Sequence, residues 1–254
     1  VSDVIVLCYH ALSPGWRADL STTPERFERQ ISLLLARGYQ SVTFTEAVSW
    51  AGDGRIVAVT FDDAYRSVLE LAHPILDRLE ASATVFVPTD SIGTTGPMHW
   101  PGIDRWLGGS HEPELTPMSW AELRSLEAAG WEIGSHTGSH PHLTQLDDDS
   151  LRGELTRSKA ACEEHLTRAC TSLAYPYGDV DPRVVAATAG AGYSAAAGLP
   201  QRLHSPDALN WPRIGVYSLD GDLRFRLKIS PAARRLRSSA AWDSLEGLRR
   251  LVRT

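Results

Sequence analysis

Ile56-Val57-Ala58-Val59-Thr60-Phe61-Asp62-Asp63 is a run of six apolar or β-branched residues that ends on two adjacent carboxylates. A run this short, apolar throughout rather than alternating, is expected as a strand buried on both faces, and such strands belong to parallel sheets. Val4–Cys8 before it repeats the pattern, as do Ala83–Val87, Trp131–Gly134, Thr171–Tyr175 and Tyr193–Ala197 after it. Amphipathic segments separate them. Pro24–Arg37 carries Phe27, Ile31, Leu34 and Leu35 on one stripe, with Thr23 as N-cap, Pro24 in the first turn and Gly38 as stop signal. Further helices are expected from Thr45 to Trp50, over Tyr65–Glu80, from Ser119 to Ala129, over Ser150–His165 and over Pro182–Ala191, and two basic helical stretches close the chain. Repeated strand–helix units imply a parallel sheet with right-handed crossovers, open or closed into a barrel. In either case chemistry sits at the C-terminal ends of the strands.

The chain has 254 residues, 43% apolar and 22% charged, enough to bury a core without a disulfide or structural metal. Disordered, collagen-like and disulfide-rich classes are excluded. Cys8, Cys162 and Cys170 are expected as buried thiols, since the last two lie eight apart, a spacing that fits no common zinc motif. No stretch approaches the ~18 apolar residues of a spanning helix. The first residues, VSDVIVLCYH, place Asp3 where an export signal would carry Lys or Arg. A cytoplasmic location is therefore expected over a secreted one, with a trimmed leader left open. From Arg224 onward nine basic residues face only Asp243 and Glu246, a net +7, so the rest carries −13 of the overall −6. An acidic body argues against nucleic acid as a partner. Oligomeric state is left open.

The strand ends hold the unusual residues. Adjacent Asp62 and Asp63 raise each other's pKa unless solvated, paired or on a metal. Gly134-Ser135-His136-Thr137-Gly138-Ser139-His140-Pro141-His142 gathers three of the nine histidines. Thr137 stands where a zincin needs Glu, which disfavours a metalloprotease, and Pro141 pushes His140 out of the α region onto a loop. Tyr175-Pro176-Tyr177-Gly178 is a tight turn that can aim a backbone N–H into a cleft, and Tyr9-His10 ends the first strand. Each alone has an ordinary reading as a capping acid, a surface histidine or a packed tyrosine. A parallel barrel would bring all four to one rim, where one carboxylate and two imidazoles form a ligand set with open positions. Residues 89–118, rich in Gly and Pro and containing Trp100 and Trp106, are a long connection, expected as a functional loop or lid.

Thr60-Phe61-Asp62-Asp63, Ser135 through His140, and Tyr175-Pro176-Tyr177-Gly178 resemble the first three motifs of the polysaccharide deacetylases, the NodB-homology or carbohydrate esterase family four. The likeness runs over roughly residues 1–220. It implies an α/β fold, a distorted (β/α) barrel of about seven parallel strands, as a single domain over residues 1–222. Residues 223–254 are expected as a basic helical extension. Tyr9-His10 is similar to the permuted branch that includes poly-N-acetylglucosamine deacetylases, in which the catalytic-acid histidine motif moves to the N-terminus. The resemblance implies that Asp63, His136 and His140 hold one divalent metal, zinc with cobalt or nickel as alternatives. It implies Asp62 as the base that takes a proton from water, the Tyr177 N–H as oxyanion donor, and His10 as the acid for the leaving amine.

There are two departures. Ala64 stands where the first motif usually ends in Gly, and Ala174 stands where the third often carries the Arg that holds the catalytic carboxylate. Arg213, in Trp211-Pro212-Arg213-Ile214 near the end of a late strand, is expected to supply that guanidinium. Trp100, Trp106, Trp211 and Tyr177 are candidate surfaces for a sugar ring. The expected substrate is an N-acetylated amino sugar, as polymer, oligosaccharide or small glycoside. The alternatives are hydrolysis of a non-sugar amide or cyclic imide, and a catalytically silent carbohydrate-binding barrel.

Overall fold

In the computed structural model, which describes residues 2–239 and Trp242, the strand Arg55–Phe61 is buried along its length except at Arg55. It pairs in parallel with Asp3–Tyr9 on one side. Two strands share its other side: Tyr39–Val42 pairs with Arg55 to Ala58, and Thr84–Val87 pairs with Thr60 and Phe61. The parallel sheet continues through Glu132–Ser135, Ser172–Ala174 and Ala195–Gly198 to Trp211–Pro212. The chain then passes Arg213 into Ile214–Gly215, which pairs with Leu7 and Cys8 of the first strand. That pairing closes the ring. Counting Trp211–Pro212 and Ile214–Gly215 as one strand interrupted at Arg213, seven parallel strands form a barrel. Tyr39–Val42 distorts it by wedging into the N-terminal end between two of them.

The helices lie between strands, as the alternation requires: Pro24–Ala36, Phe44–Val48, His73–Arg78, Trp120–Ala128, Asp148–His165 and Pro182–Gly190. Thr43, not Thr45, begins the second of these, in a reciprocal capping box with Glu46. The helix expected over 65–80 is irregular, because Val68–Ala72 is a π turn in which the His73 N–H reaches the Val68 carbonyl. Pro74 explains it: proline has no N–H to donate, and its ring would meet the carbonyl four residues back. A wider turn relieves both problems.

Side chains alternate between two environments. Ile5, Leu7, Tyr9, Val57, Val59 and Phe61 pack outward against helix residues such as Phe27, Ile31, Leu34, Leu76 and Leu123. Val6, Ile56, Ala58, Phe86, Ala174, Ala195 and Ala197 face inward and are mostly small. Phe86 fills the middle, and a Cβ on Gly134 would lie only 2.7 Å from its ring. The barrel is thus a packed core with a polar layer above it at the C-terminal rim.

Residues 89–118 are no open lid. They contain three 3₁₀ turns and bury Met98, Trp100, Ile103 and Leu115. The helices Asp222–Ile229 and Pro231–Ser238 follow the barrel, with Phe225 and Ile229 buried and Arg234 bonded to Asp3 at 2.6 Å. The rest of the expected basic extension, Trp242 apart, lies outside the described residues. Among the described residues no helix is long and apolar enough to cross a membrane.

Candidate active site

The chemistry-bearing segments leave their strands through left-handed backbone. Asp63, Ala64, Thr137, His140 and Tyr177 have φ of 71°, 56°, 68°, 60° and 59°. Side chains rarely adopt this region, which costs about 1–3 kcal/mol per residue and persists only where surroundings enforce it. His140 lies on a loop outside the right-handed α region, as expected before Pro141, with φ of 60°. The Ser135 hydroxyl accepts the Thr137 N–H at 3.1 Å, and the Thr137 hydroxyl accepts the His140 N–H at 3.2 Å, so the turn is held by its own side chains. The conformation of Ala64 also gives a reason for glycine at the end of the first motif.

Asp63, His136 and His140 converge. Asp63 Oδ1 lies 3.4 Å from His136 Nε2 and 3.3 Å from His140 Nε2, and all three residues are buried. His136 Nδ1 sits 2.8 Å from the Ala174 carbonyl; the N–H placed there leaves the Nε2 lone pair facing Asp63. Asp63 Oδ1 is buried without a hydrogen-bond partner, an arrangement that costs free energy unless something positive fills the gap. A carboxylate oxygen and two imidazole nitrogens aimed at one point fit a divalent cation of the zinc type. Burial pushes the Asp63 carboxyl up, but the two facing imidazoles outweigh it and hold it well below the usual carboxylate range. Burial disfavours the charged form of both histidines. At His136 the carboxylates of Asp62 and Asp63 win and its pKa rises; at His140 burial wins and its pKa falls.

Asp62 points elsewhere. Arg213 enters the barrel from the interrupted closing strand and donates to Asp62 Oδ1 at 2.6 Å and Oδ2 at 2.8 Å. It also donates to the Thr60 hydroxyl at 3.0 Å and the Gly198 carbonyl at 3.2 Å, and lies 5.5 Å above the Phe86 ring. Burial would raise the Asp62 pKa, but the Arg213 charge, helped by His136, brings it from 3.8 down to about 2. The Cys8 thiol donates to Asp62 Oδ2 at 3.4 Å. A His10 nitrogen, Cys8 Sγ and an Asp62 oxygen all lie within 4.8 Å of one another. A cation there would face the guanidinium, so Asp63 with His136 and His140 is the better ion site. Burial lowers the His10 pKa, while Asp63 and Asp62 pull it the other way.

The Tyr175–Asp179 turn is closed by the N–H groups of Gly178, to the Tyr175 carbonyl, and Asp179, to the Pro176 carbonyl, both at 2.9 Å. The Tyr177 ring is 39% exposed, stacks on His142 at 4.0 Å and meets His140 edge-on at 4.6 Å. Trp100 was expected to offer its face to a sugar, but it is only 6% exposed and stacks on His140 at 4.3 Å. Trp106 is half-buried and engaged edge-on by Trp16 and His111. Trp211, paired with Ala197 two residues before Arg213, packs against the barrel-interior cluster. Of these four aromatics Tyr177 is the most open. The position of Cys8 against Asp62 was not foreseen, although its place near the end of the first strand is visible in the sequence.

A family model described as polysaccharide deacetylase matches residues 51–196. The poly-β-1,6-N-acetyl-D-glucosamine N-deacetylase of Staphylococcus epidermidis is 25% identical over 211 residues, 77% of this chain and 68% of that protein. Among solved structures, the Streptococcus pyogenes deacetylase PplD in complex with acetate superposes with a TM-score of 0.74 at 21% identity, covering 90% of this chain and 98% of that one. IcaB from Ammonifex degensii superposes with a TM-score of 0.70 at 24% identity, covering 93% of this chain and 97% of that one. The two superpositions are likenesses of fold.

Proposed function

The chain belongs to the polysaccharide deacetylase family, and we propose that it is a metal-dependent N-deacetylase of N-acetylated amino sugars, acting on a polymer or its oligomers. One observation carries the reading: two adjacent carboxylates are divided between two tasks, Asp63 facing a pair of imidazoles and Asp62 paired with Arg213. Asp63, His136 and His140 would hold the ion. When bound, the ion supplies a Lewis acid that makes water a nucleophile near neutral pH and polarises the acetamide carbonyl.

The chain's own residues do the rest. Asp62, kept ionised by Arg213, accepts the proton of the attacking water. The Tyr177 N–H, presented by a strained turn, donates to the carbonyl oxygen as charge builds on it. His10, whose imidazole lies within 4.8 Å of an Asp62 oxygen, donates a proton to the amine as the C–N bond breaks. Products are acetate and a free amine. The exposed Tyr177 ring supports a sugar-facing surface beside this cluster. The relatives named for poly-β-1,6-N-acetyl-D-glucosamine favour a polymer.

The test is acetate release from N-acetylglucosamine oligomers by metal-loaded protein, wild type against Asp62→Asn. The variant is expected to keep its metal and lose on the order of 10²–10⁴ in turnover. Near-full activity in Asp62→Asn removes the base. Hydrolysis of a cyclic imide with no acetate released from any amino sugar moves the substrate to the non-sugar class.

A further inference from the structure

We propose that Glu154 is a positioning residue for the candidate metal site, pinning the loop between His136 and His140 and so setting where the His140 imidazole lies. The inference rests on Asp63, His136 and His140 being metal ligands. Glu154 stands in the helix Asp148–His165 and is 7% exposed. Its Oε2 accepts the N–H groups of Gly138 and Ser139, both at 2.9 Å, and its Oε1 accepts the Ser139 hydroxyl at 3.0 Å and Arg157 at 2.9 Å. The loop is gripped from its other edge too, where the Thr89 and Asp90 N–H groups donate to the Thr137 and Gly138 carbonyls at 3.0 Å each. A Cβ on Gly138 would sit 3.0 Å from Glu154 Oε2, so the backbone presses directly on the carboxylate.

The two imidazoles are held differently. His136 is oriented by its hydrogen bond to the Ala174 carbonyl, whereas His140 Nδ1 is buried with no partner. Packing by Trp100 and Tyr177 limits the His140 ring, but no hydrogen bond fixes its distance from Asp63. That distance follows from the backbone, held in a strained conformation at φ 60°, and Glu154 grips that backbone one and two residues earlier. Hydrogen bonds from two adjacent backbone N–H groups to one buried acceptor hold the strained turn in place. For His140 they take the place of the second hydrogen bond that orients most metal-binding histidines.

The experiment is zinc affinity of the metal-stripped full chain by competition with a chromophoric chelator, with the cobalt absorption spectrum as a second readout. Glu154→Ala is expected to bind zinc about 10–100-fold more weakly, with a shifted cobalt spectrum. Glu154→Gln keeps one oxygen for both N–H groups and is expected within about threefold of wild type. Zinc binding by a folded Glu154→Ala within threefold of wild type overturns the proposal. Equal weakening in the Gln and Ala variants also overturns it, by showing that charge rather than hydrogen bonding matters. Should the Ala variant not fold, Glu154→Asp keeps the charge but withdraws it by about 1.5 Å. At least tenfold weakening is then expected, and affinity within threefold overturns the proposal. Wild type that binds no zinc removes both the metal site and the role of Glu154. Tight wild-type binding with no effect of Glu154→Ala removes only the latter.

Discussion

Arg213→Met would take the guanidinium from a fully buried pair and leave Asp62 alone in the barrel. Four donated hydrogen bonds disappear: two to Asp62, one to Thr60 and one to Gly198. Removing one partner of a buried ion pair costs about 3–5 kcal/mol, because the remaining charge is left uncompensated. The carboxylate gives a check on that figure. Its pKa falls from 3.8 to about 2 despite burial pushing the other way, and at ~1.4 kcal/mol per pKa unit this is roughly 2.5 kcal/mol before the other lost bonds are added.

The pH dependence has a definite sign. In the wild type the folded-state pKa of Asp62 is depressed, so its contribution to stability is present above ~4 and lost as pH falls through ~2. In Arg213→Met the largest charge opposing burial is gone, so the Asp62 pKa rises above its wild-type value. Stability relative to wild type is then worst near neutral pH and recovers as Asp62 takes up a proton on acidification. Urea unfolding of metal-free protein between about pH 3 and pH 7 measures this. Adding Asp62→Asn removes the orphaned charge, so the double variant should lose less than the sum of the singles, with a coupling of about 2 kcal/mol or more. Destabilisation below about 1 kcal/mol at pH 7, or a coupling near zero, refutes the reasoning.

Three further outcomes are expected. His136→Ala removes one of the three proposed ligands and should abolish stoichiometric zinc binding in a chelator competition while the apo protein stays folded. His10→Ala should retain bound metal, with kcat lowered about 10²–10⁴-fold in acetate release and KM little changed. Ala64→Gly relieves a left-handed backbone worth ~1–2 kcal/mol but loses a buried methyl and loosens the unfolded chain. These offset to within about 0.5 kcal/mol in urea unfolding, and a loss above 1 kcal/mol would contradict the conformational explanation.

The barrel was legible because its strands are short apolar runs between amphipathic segments, a pattern set by burial on two faces. Tyr39–Val42 escaped because Tyr-Gln-Ser-Val is neither an apolar run nor a long alternation, and it lies in the sheet only as a wedge at one end. The last strand was placed only around Trp211-Pro212-Arg213-Ile214, because Pro212 and Arg213 interrupt its apolar pattern, and that arginine is the group that reaches Asp62. At the rim, Asp62, Asp63, His136 and His140 stood out because charged and imidazole groups at strand ends need a reason to be there. Glu154 did not, since one more acid in Asp-Asp-Ser-Leu-Arg-Gly-Glu reads as a solvated helix face. Trp100 misled because a loop tryptophan suits a ligand and a core equally, and only packing separates the two.

The central claim is that Asp63, His136 and His140 share one divalent ion on which amide hydrolysis depends. Its most direct test titrates zinc into metal-stripped protein while acetate release from an N-acetylglucosamine oligomer is followed in the same samples. Activity is expected to rise from background to a plateau at one equivalent in the wild type and to stay at background in Asp63→Ala. Full activity in the stripped protein, or tight binding of zinc by Asp63→Ala with full activity, would contradict the account.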